Sequence, residues 1–366
     1  MRARRRWTPG VAVAAVACVV LAGCQSVTRL TTNTRPNPSA CFGQSISGDG
    51  RWVAFSTIGD PNDPSSDQKT VLRDRRTGTS RELAGNPSYA PLGTAVDADG
   101  SEVVMMIGVH TSSPEPEYRA FAWHRATGKR TQVSSTGESV RDVAISGDGK
   151  KVAYVVGSGG IVLYDQVTKT RKQVVTPPGE ETFIDNVSLS TTGRILGWED
   201  AFATGSPAYP FVRDNQTGTE WPLFSGAQEW SRARGTVALS GDGRWAVFTK
   251  GRSDQFSGTD QVYLWDRTTH TSRRLTGFGP GVTVGNPTIS RDGSTIAYLQ
   301  TRHGETHNSL VTVDRAGGKT TVALTGNRFL HEPTISADGH TIVVCTDSTN
   351  LVPKSPAAPN LYVLKR

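Results

Sequence analysis

The sequence predicts an all-β protein: a seven-bladed β-propeller of four-stranded blades, its ring closed by an N-terminal strand. Three observations carry this prediction. A turn-centred motif recurs seven times at nearly constant spacing. A second motif follows it in the first six copies. The last copy ends one strand short, and a segment near the N-terminus matches the strand it lacks.

The first motif opens as Ser45-Ile46-Ser47-Gly48-Asp49-Gly50 and runs on into Arg51-Trp52-Val53-Ala54-Phe55. It returns at Ala95 to Gly100, Ala144 to Gly149, Ala238 to Gly243, Thr288 to Gly293 and Thr334 to Gly339, with a degenerate copy at Ser188 to Gly193. Its glycines are separated by 50, 49, 44, 50, 50 and 46 residues. Asp-Gly between two apolar, β-rich runs is the preferred chemistry for a tight turn that needs positive φ. The run after each turn alternates or is continuously apolar, as in Trp245-Ala246-Val247-Phe248, which is how half-buried or fully buried strands read.

The second motif lies 17 to 25 residues after the Asp (or Thr192) position. It is an apolar strand, then Asp-Arg-x-Thr-Gly or a close variant, then a polar strand, as in Val71 to Gly78, Phe211 to Gly218 and Tyr263 to Thr269. Each unit therefore holds four strands, A to D. An Asp-Gly turn joins A to B, a variable loop joins B to C, and a Thr-Gly-type turn joins C to D. Four-stranded units at this period, with no helical pattern between them, predict a propeller; a β-sandwich predicts no such repetition.

The Ser-x-Asp-Gly turn, its apolar strand and the following Asp-Arg-x-Thr-Gly resemble TolB-type propeller repeats over essentially the whole chain after the leader. That repeat is specific for fold and carries little about function, because it occurs in transport accessories, surface proteins and peptidase propellers alike. With seven repeats instead of six, and without an added N-terminal α/β domain, the chain departs from TolB itself.

The ring closure follows from counting strands. Leu361 to Arg366 match the C strand at Val262 to Arg267, so the seventh unit lacks its D strand. Ser26-Val27-Thr28-Arg29-Leu30-Thr31 resembles the D strand Thr271 to Thr276. An exposed strand edge is costly, so residues 26–31 are expected to complete blade seven, the other reading being a flexible tether.

Ahead of that strand, Arg2, Arg4, Arg5 and Arg6 form a basic head, and Val11 to Ala22 is an uninterrupted apolar run. Twelve residues of helix reach about 18 Å, too short for a hydrocarbon core of about 30 Å but suited to a signal segment. The run ends in Leu21-Ala22-Gly23-Cys24, which resembles the lipobox of bacterial lipoproteins; an ordinary secretory signal is the alternative. The resemblance implies cleavage before Cys24, diacylation of its thiol, and an exported chain anchored on the outer face of the cell membrane. The expected organisation is a signal peptide over 1–23, a lipidated N-terminus with closing strand and linker over 24–44, and the propeller over 45–366.

The formal net charge is +7, and four of those charges are leader arginines, which leaves +3 on the rest. No Lys/Arg-rich block remains, so nucleic acid is not an expected partner. Of four cysteines, Cys18 leaves with the leader and Cys24 would carry lipid. Cys41, near the start of strand A in blade one, and Cys345, near the end of strand B in blade seven, are expected to lie toward one face in neighbouring blades. They form either a disulfide, which an exported protein can keep, or two separate buried thiols.

Catalytic motifs are sparse. There is no Gly-x-Ser-x-Gly elbow and no phosphate-binding loop ahead of a helix. His303-Gly304-Glu305-Thr306-His307 is not the helical zinc pattern and reads as a solvated loop. No cofactor is expected. The one candidate ion is calcium near Asp60, Asn62, Asp63 and Asp67, a loop of hard oxygen donors whose two prolines and missing central glycine depart from an EF-hand.

What the fold offers is a face, because D–A and B–C loops gather at one end of the central channel. The candidate binding funnel consists of Arg141, Asp142, Asp185, Asn186, Arg232, Arg234, His331 and Glu332, with Tyr89, Phe183, Trp230 and Phe329 as aromatic neighbours. These readings favour a lipid-anchored module that binds a protein partner over a funnel-site enzyme or a carbohydrate- or small-molecule-binding protein.

Overall fold

The computed structural model describes residues 26–32, 42–57, 69–85, 92–109, 117–157, 160–176, 182–202, 208–224, 229–230, 236–252, 260–277 and 281–366. They form seven antiparallel sheets, one per repeat. The N-terminal strand β1 (Ser26–Arg29) precedes blade one, which is β2 (Phe42–Ile46), β3 (Trp52–Thr57), β4 (Lys69–Asp74) and β5 (Ser80–Gly85). Blade two is β6 (Leu92–Val96), β7 (Glu102–Val109), β8 (Glu117–His124) and β9 (Arg130–Gln132). Blade three is β10 (Val140–Ile145), β11 (Lys151–Val156), β12 (Gly160–Asp165) and β13 (Arg171–Val175). Blade four is β14 (Thr182–Leu189), β15 (Ile195–Phe202), β16 (Ala208–Asp214) and β17 (Glu220–Pro222). In blade five the innermost strand is split into β18 (Glu229–Trp230) and β19 (Ala238–Leu239), followed by β20 (Trp245–Arg252), β21 (Gln261–Asp266) and β22 (Thr271–Arg274). Blade six is β23 (Val282–Ile289), β24 (Thr295–Arg302), β25 (Ser309–Asp314) and β26 (Thr320–Thr325). Blade seven has β27 (Leu330–Ile335), β28 (Thr341–Thr346) and β29 (Asn360–Lys365).

The fourth strand of blade seven is β1. It pairs antiparallel with β29, with Ser26 opposite Lys365 and Arg29 opposite Tyr362. Leu30 N–H then donates to Leu361 O at 2.7 Å, and Thr31 Oγ1 accepts from Leu361 N at 3.0 Å. The two ends of the chain thus complete one sheet, and no unpaired edge remains on β29.

Seven hydrophobic clusters hold the ring, and each spans one seam between neighbouring blades. At the closing seam, Val343, Cys345, Leu361 and Val363 of blade seven meet Val53 and Phe55 of blade one, with Leu30 against them. Strand B is apolar on both faces for this reason. One face of each blade meets the blade before it and the other meets the blade after, so Val53, Ala54 and Phe55 are all buried.

The repeat motifs are accounted for by bonds that recur around the ring. Ser47 Oγ donates to Asp49 Oδ1 and accepts from Trp52 N at 2.9 Å, which locks the A–B turn. Ser146, Ser240, Ser290 and Ser336 repeat this pair of bonds. The residue after the last position of strand C, an Asp in five blades, His124 in blade two and Lys365 in blade seven, reaches back to the carbonyl of the turn glycine in every blade. Arg75, Arg125, Gln166, Asn215, Arg267 and Arg315 hold Gly50, Gly100, Gly149, Gly193, Gly243 and Gly293, and the C-terminal Arg366 holds Gly339. The Asp itself pairs with a cation at the head of strand B, as in Arg51–Asp74, Lys151–Asp165, Arg194–Asp214 and Arg244–Asp266. These motifs tie the strands of a blade together and account for the repetition of the motif by structure.

Candidate functional site

Two belts of inter-blade hydrogen bonds define the central channel. The first is a closed ring of backbone bonds through the seven A–B turns: Asp49 N to Ala98 O, Ala98 N to Gly147 O, Asp148 N to Thr191 O, Thr191 N to Gly241 O, Gly241 N to Arg291 O, Asp292 N to Ala337 O, and Ala337 N to Gly48 O. The axial position of these turns is small in six blades and Arg291 in the other. The Arg291 side chain crosses the lumen, for a β-carbon on Gly147 in blade three would lie 2.4 Å from its Nη1. Burial lowers the pKa of this guanidinium, and the charges of Asp97 and Asp148 act in the opposite direction. The turn end of the channel is thus drawn together and plugged by one cation.

The second belt lies toward the loops. In six blades the register of the innermost strand shifts, between Phe42 and Ser45, Leu92 and Thr94, Val140 and Asp142, Asp185 and Ser188, Gly285 and Thr288, and His331 and Thr334. In blade five the strand is split at the corresponding place. A bulge re-aims side chains out of the ladder, and here it turns them into the channel. The residue seven before each turn glycine sits at the bulge: Gly43, Gly93, Asp142, Asn186, Thr236, Asn286 and Glu332. Five of them have positive φ, including Asn186 (54°), Asn286 (50°) and Glu332 (45°). Asparagine tolerates that conformation, but in glutamate it is uncommon, and such strain concentrates at functional sites.

The cavity within this belt has a volume of about 610 Å³ and is lined by Arg141, Asp142, Asn186, Asn286, Glu332 and Gln44, among others. Neighbouring walls are tied together. Val187 N donates to Asp142 Oδ2 at 2.7 Å, Thr94 Oγ1 to Gly43 O at 2.6 Å, and Gly43 N to Glu332 Oε2 at 3.0 Å. Gln44 Nε2 donates to the carbonyls of His331 (3.2 Å) and Glu332 (2.6 Å). Glu332 meets water in the lumen, yet the surrounding protein raises its carboxyl above the usual range; the Gly43 N–H and the nearby His331 only partly offset this.

The residues singled out from sequence distribute as follows. Arg141, Asp142, Asn186 and Glu332 line the channel. His331 lines a smaller cleft between blades six and seven, of about 230 Å³, together with Phe329. Asp185 lies on β14, as does Phe183, and Trp230 lies on β18. Arg232, Arg234, Tyr89, the lipidation candidate Cys24 and the calcium candidates Asp60, Asn62, Asp63 and Asp67 fall outside the described residues. Cys345 is buried on β28 and disulfide-bonded, while Cys41, its expected partner, falls outside them. His307 Nε2 stands 3.8 Å from Glu305. Among the described residues no group of three His, Cys, Asp or Glu side chains could hold a metal ion.

Gln44, Thr236 and Asn286 line the channel but are not among the residues singled out from the sequence. The repeat register would have found the last two, since both stand seven residues before a turn glycine, and Gln44 immediately follows that position in blade one.

Comparison with solved structures places the same fold in proteins of diverse activity. An oligogalacturonate lyase in complex with manganese aligns with a TM-score of 0.65 at 13% identity, over 94% of each chain. The β-propeller domain of the Trilobed protease from Pyrococcus furiosus, described as having an open velcro topology, aligns with a TM-score of 0.65 at 11% identity, over 91% of this chain and 94% of that one. TolB from Acinetobacter baumannii aligns with a TM-score of 0.48 at 17% identity, over 87% of this chain and 81% of that one, too distant to carry an argument. No curated protein matches the sequence. Residues 263–359, which run from blade five into blade seven, match the lipoprotein LpqB β-propeller domain. With seven blades in one closed ring, the chain is a β-propeller, and about a quarter of it is similar to a lipoprotein propeller domain.

Proposed function

We propose that the protein is an exported, lipid-anchored propeller that binds a protein partner at the loop-side mouth of its channel. One observation carries this reading: the channel is blind. A complete ring of backbone bonds and the Arg291 side chain obstruct its turn end, so a ligand enters from the side of the D–A and B–C loops. There the bulged inner strands present polar side chains on a rigid scaffold, the usual arrangement of a recognition site. The lipoprotein match supports export and anchoring. On this reading Cys24 carries the lipid two residues before β1, Cys41 is the partner of Cys345, and blade seven lies beside the bilayer.

A second reading, a funnel that binds or converts a carbohydrate or small molecule, is favoured by the raised carboxyl of Glu332 in an enclosed lumen. Crosslinking and affinity capture of the full-length protein from its native membranes separates the two. The first reading expects one stoichiometric protein that the double variant His331→Ala/Asn286→Ala loses while its melting temperature is unchanged. Capture that persists in that variant would refute the mouth as the docking face. Absence of any captured protein, with saturable sugar or small-molecule binding, would favour the second reading.

A further inference from the structure

The lumen wall at the seam of blades seven and one has more acceptors than donors. Gln44 is 7% exposed and commits its amide nitrogen to two carbonyls. That leaves Gln44 Oε1 buried with no hydrogen-bond partner, a costly state for a polar atom. Glu332, across the same seam, uses Oε2 on Gly43 N–H, and among the described residues its carboxylate forms no ion pair. Apart from Arg291 at the turn end, the one cationic side chain among the described residues lining the lumen is Arg141, on blade three at the far side of the ring. An orphaned amide oxygen and a carboxylate held in a strained backbone conformation therefore share this wall, and among the described residues no cation pairs with the carboxylate.

Next to this wall is a cleft of mixed character between blades six and seven. Val284, Leu299 and Phe329 line it beside Thr301, Asn308 and His331, and Asn286 lines both this cleft and the lumen. Phe329 is 42% exposed, and only Val167 accompanies it as an exposed large apolar side chain among the described residues. An exposed aromatic at the rim of a concavity is a common anchor point of an interface.

We infer that the lumen wall and the cleft form one site for an extended peptide segment of the partner. A basic side chain of that segment reaches Glu332 in the lumen, and an apolar neighbour packs in the cleft against Phe329 and Leu299. The inference rests on the protein-partner reading and narrows it to a segment in which a lysine or arginine adjoins an apolar residue. Charge complementarity selects the first side chain and the exposed ring of Phe329 selects the second; the register shifts of β23 and β27 fall at the same place.

The test uses the soluble chain from residue 26 onward and two capped tetrapeptides, Gly-Lys-Leu-Gly and its acetyl-lysine counterpart. Binding is followed on the backbone amide NMR signal of Gly43, which donates to Glu332. The lysine peptide is expected to bind at least ten-fold more tightly than the acetylated one, and the difference should shrink as salt rises from 50 to 500 mM. Glu332→Gln, which keeps an acceptor for Gly43, should abolish the difference. Phe329→Ala, at an exposed position, should weaken both peptides and leave their ratio intact. Equal binding of the two peptides, no binding at millimolar concentration, or a lysine preference that survives Glu332→Gln would overturn the inference. Capture of a membrane partner that is insensitive to Glu332→Gln would also overturn it, while leaving the broader reading standing.

Discussion

Gly100 in the second blade lies against the indole of Trp52 in the first, so closely that an added β-carbon would sit 2.2 Å from Trp52 Cδ1. The contact belongs to a series around the ring. Each turn glycine rests on the first residue of strand B in the preceding blade: Gly149 on Glu102, Gly193 on Lys151, Gly243 on Ile195, Gly293 on Trp245, Gly339 on Thr295 and Gly50 on Thr341. Glycine is therefore required twice over, for positive φ and for the approach of the neighbouring blade.

Gly100→Ala is expected to destabilise the fold by about 3 kcal/mol, combining left-handed strain with overpacking against the indole. Gly78 provides the control. Its φ is +74° but no atom lies within 4 Å of an added β-carbon, so Gly78→Ala should cost only about 1 kcal/mol. Denaturant unfolding of both variants checks this, and equal losses would mean that the blade contact contributes nothing.

In blade two an aspartate, Asp97, replaces the buried serine of the turn. It is 2% exposed, its Oδ1 has no partner, and burial raises its carboxyl pKa. A carboxylate with a raised folded-state pKa costs stability at pH values above its unfolded pKa, and the cost fades as pH falls. Asp97→Ser should restore the bond pattern of Ser47 and stabilise the protein by about 1 kcal/mol at pH 7. The gain should be smaller at pH 4. Melting temperatures of both proteins at the two pH values decide the matter.

The aspartates that pair with the head of strand B behave in the opposite sense. The hydrogen bond from Arg244 is the main influence that lowers Asp266 to about 2, and that from Lys151 lowers Asp165 to about 2. Arg51 and Arg194 likewise lower Asp74 and Asp214. Depressed carboxyls contribute stability above their unfolded pKa and lose it as pH falls through the folded value, so stability should drop between about pH 4 and pH 2. Asp266→Asn should flatten that part of the profile while lowering stability at pH 7. An unchanged slope in the variant would show that this pair is screened by solvent, as partly exposed pairs often are.

The closing strand has its own signature. Leu30 is 8% exposed within the cluster of the seam between blades seven and one. Leu30→Ala should cost about 2 kcal/mol. Removal of residues 26–32 should lower the melting temperature further and promote association through the bared edge of β29. A truncated chain that stays monomeric and equally stable would mean that the strand pairs without contributing.

Most of the fold was legible in the sequence because its determinants are local. Asp49-Gly50 and its six counterparts specify turns, the apolar runs beside them specify strands buried on two faces, and the spacing counts the blades. The strand at 26–31 could be assigned from its likeness to Thr271 to Thr276 once the seventh blade was seen to lack an outer strand. The site was legible only in part. Asp142, Asn186 and Glu332 are legible from residue type and position in the D–A segments, whereas Gln44 and Asn286 join them only because the ring brings the bulges of separate blades around one axis. The aspartates of the second motif, conspicuous in the sequence, form staples with the head of strand B in four blades.

The sequence by itself determined the repeat and the number of blades, since both depend on turn chemistry and period within about fifty residues, and the place of ring closure, since residues 26–31 resemble the strand that the seventh repeat lacks. Only the tertiary structure decided that Arg291 crosses the lumen to Gly147, and that Gly43, Gln44, His331 and Glu332 form one wall. Gly43 and Glu332 are 289 residues apart. They meet because closing a ring brings its first and last blades together, and no local pattern specifies which side chains then share an axis.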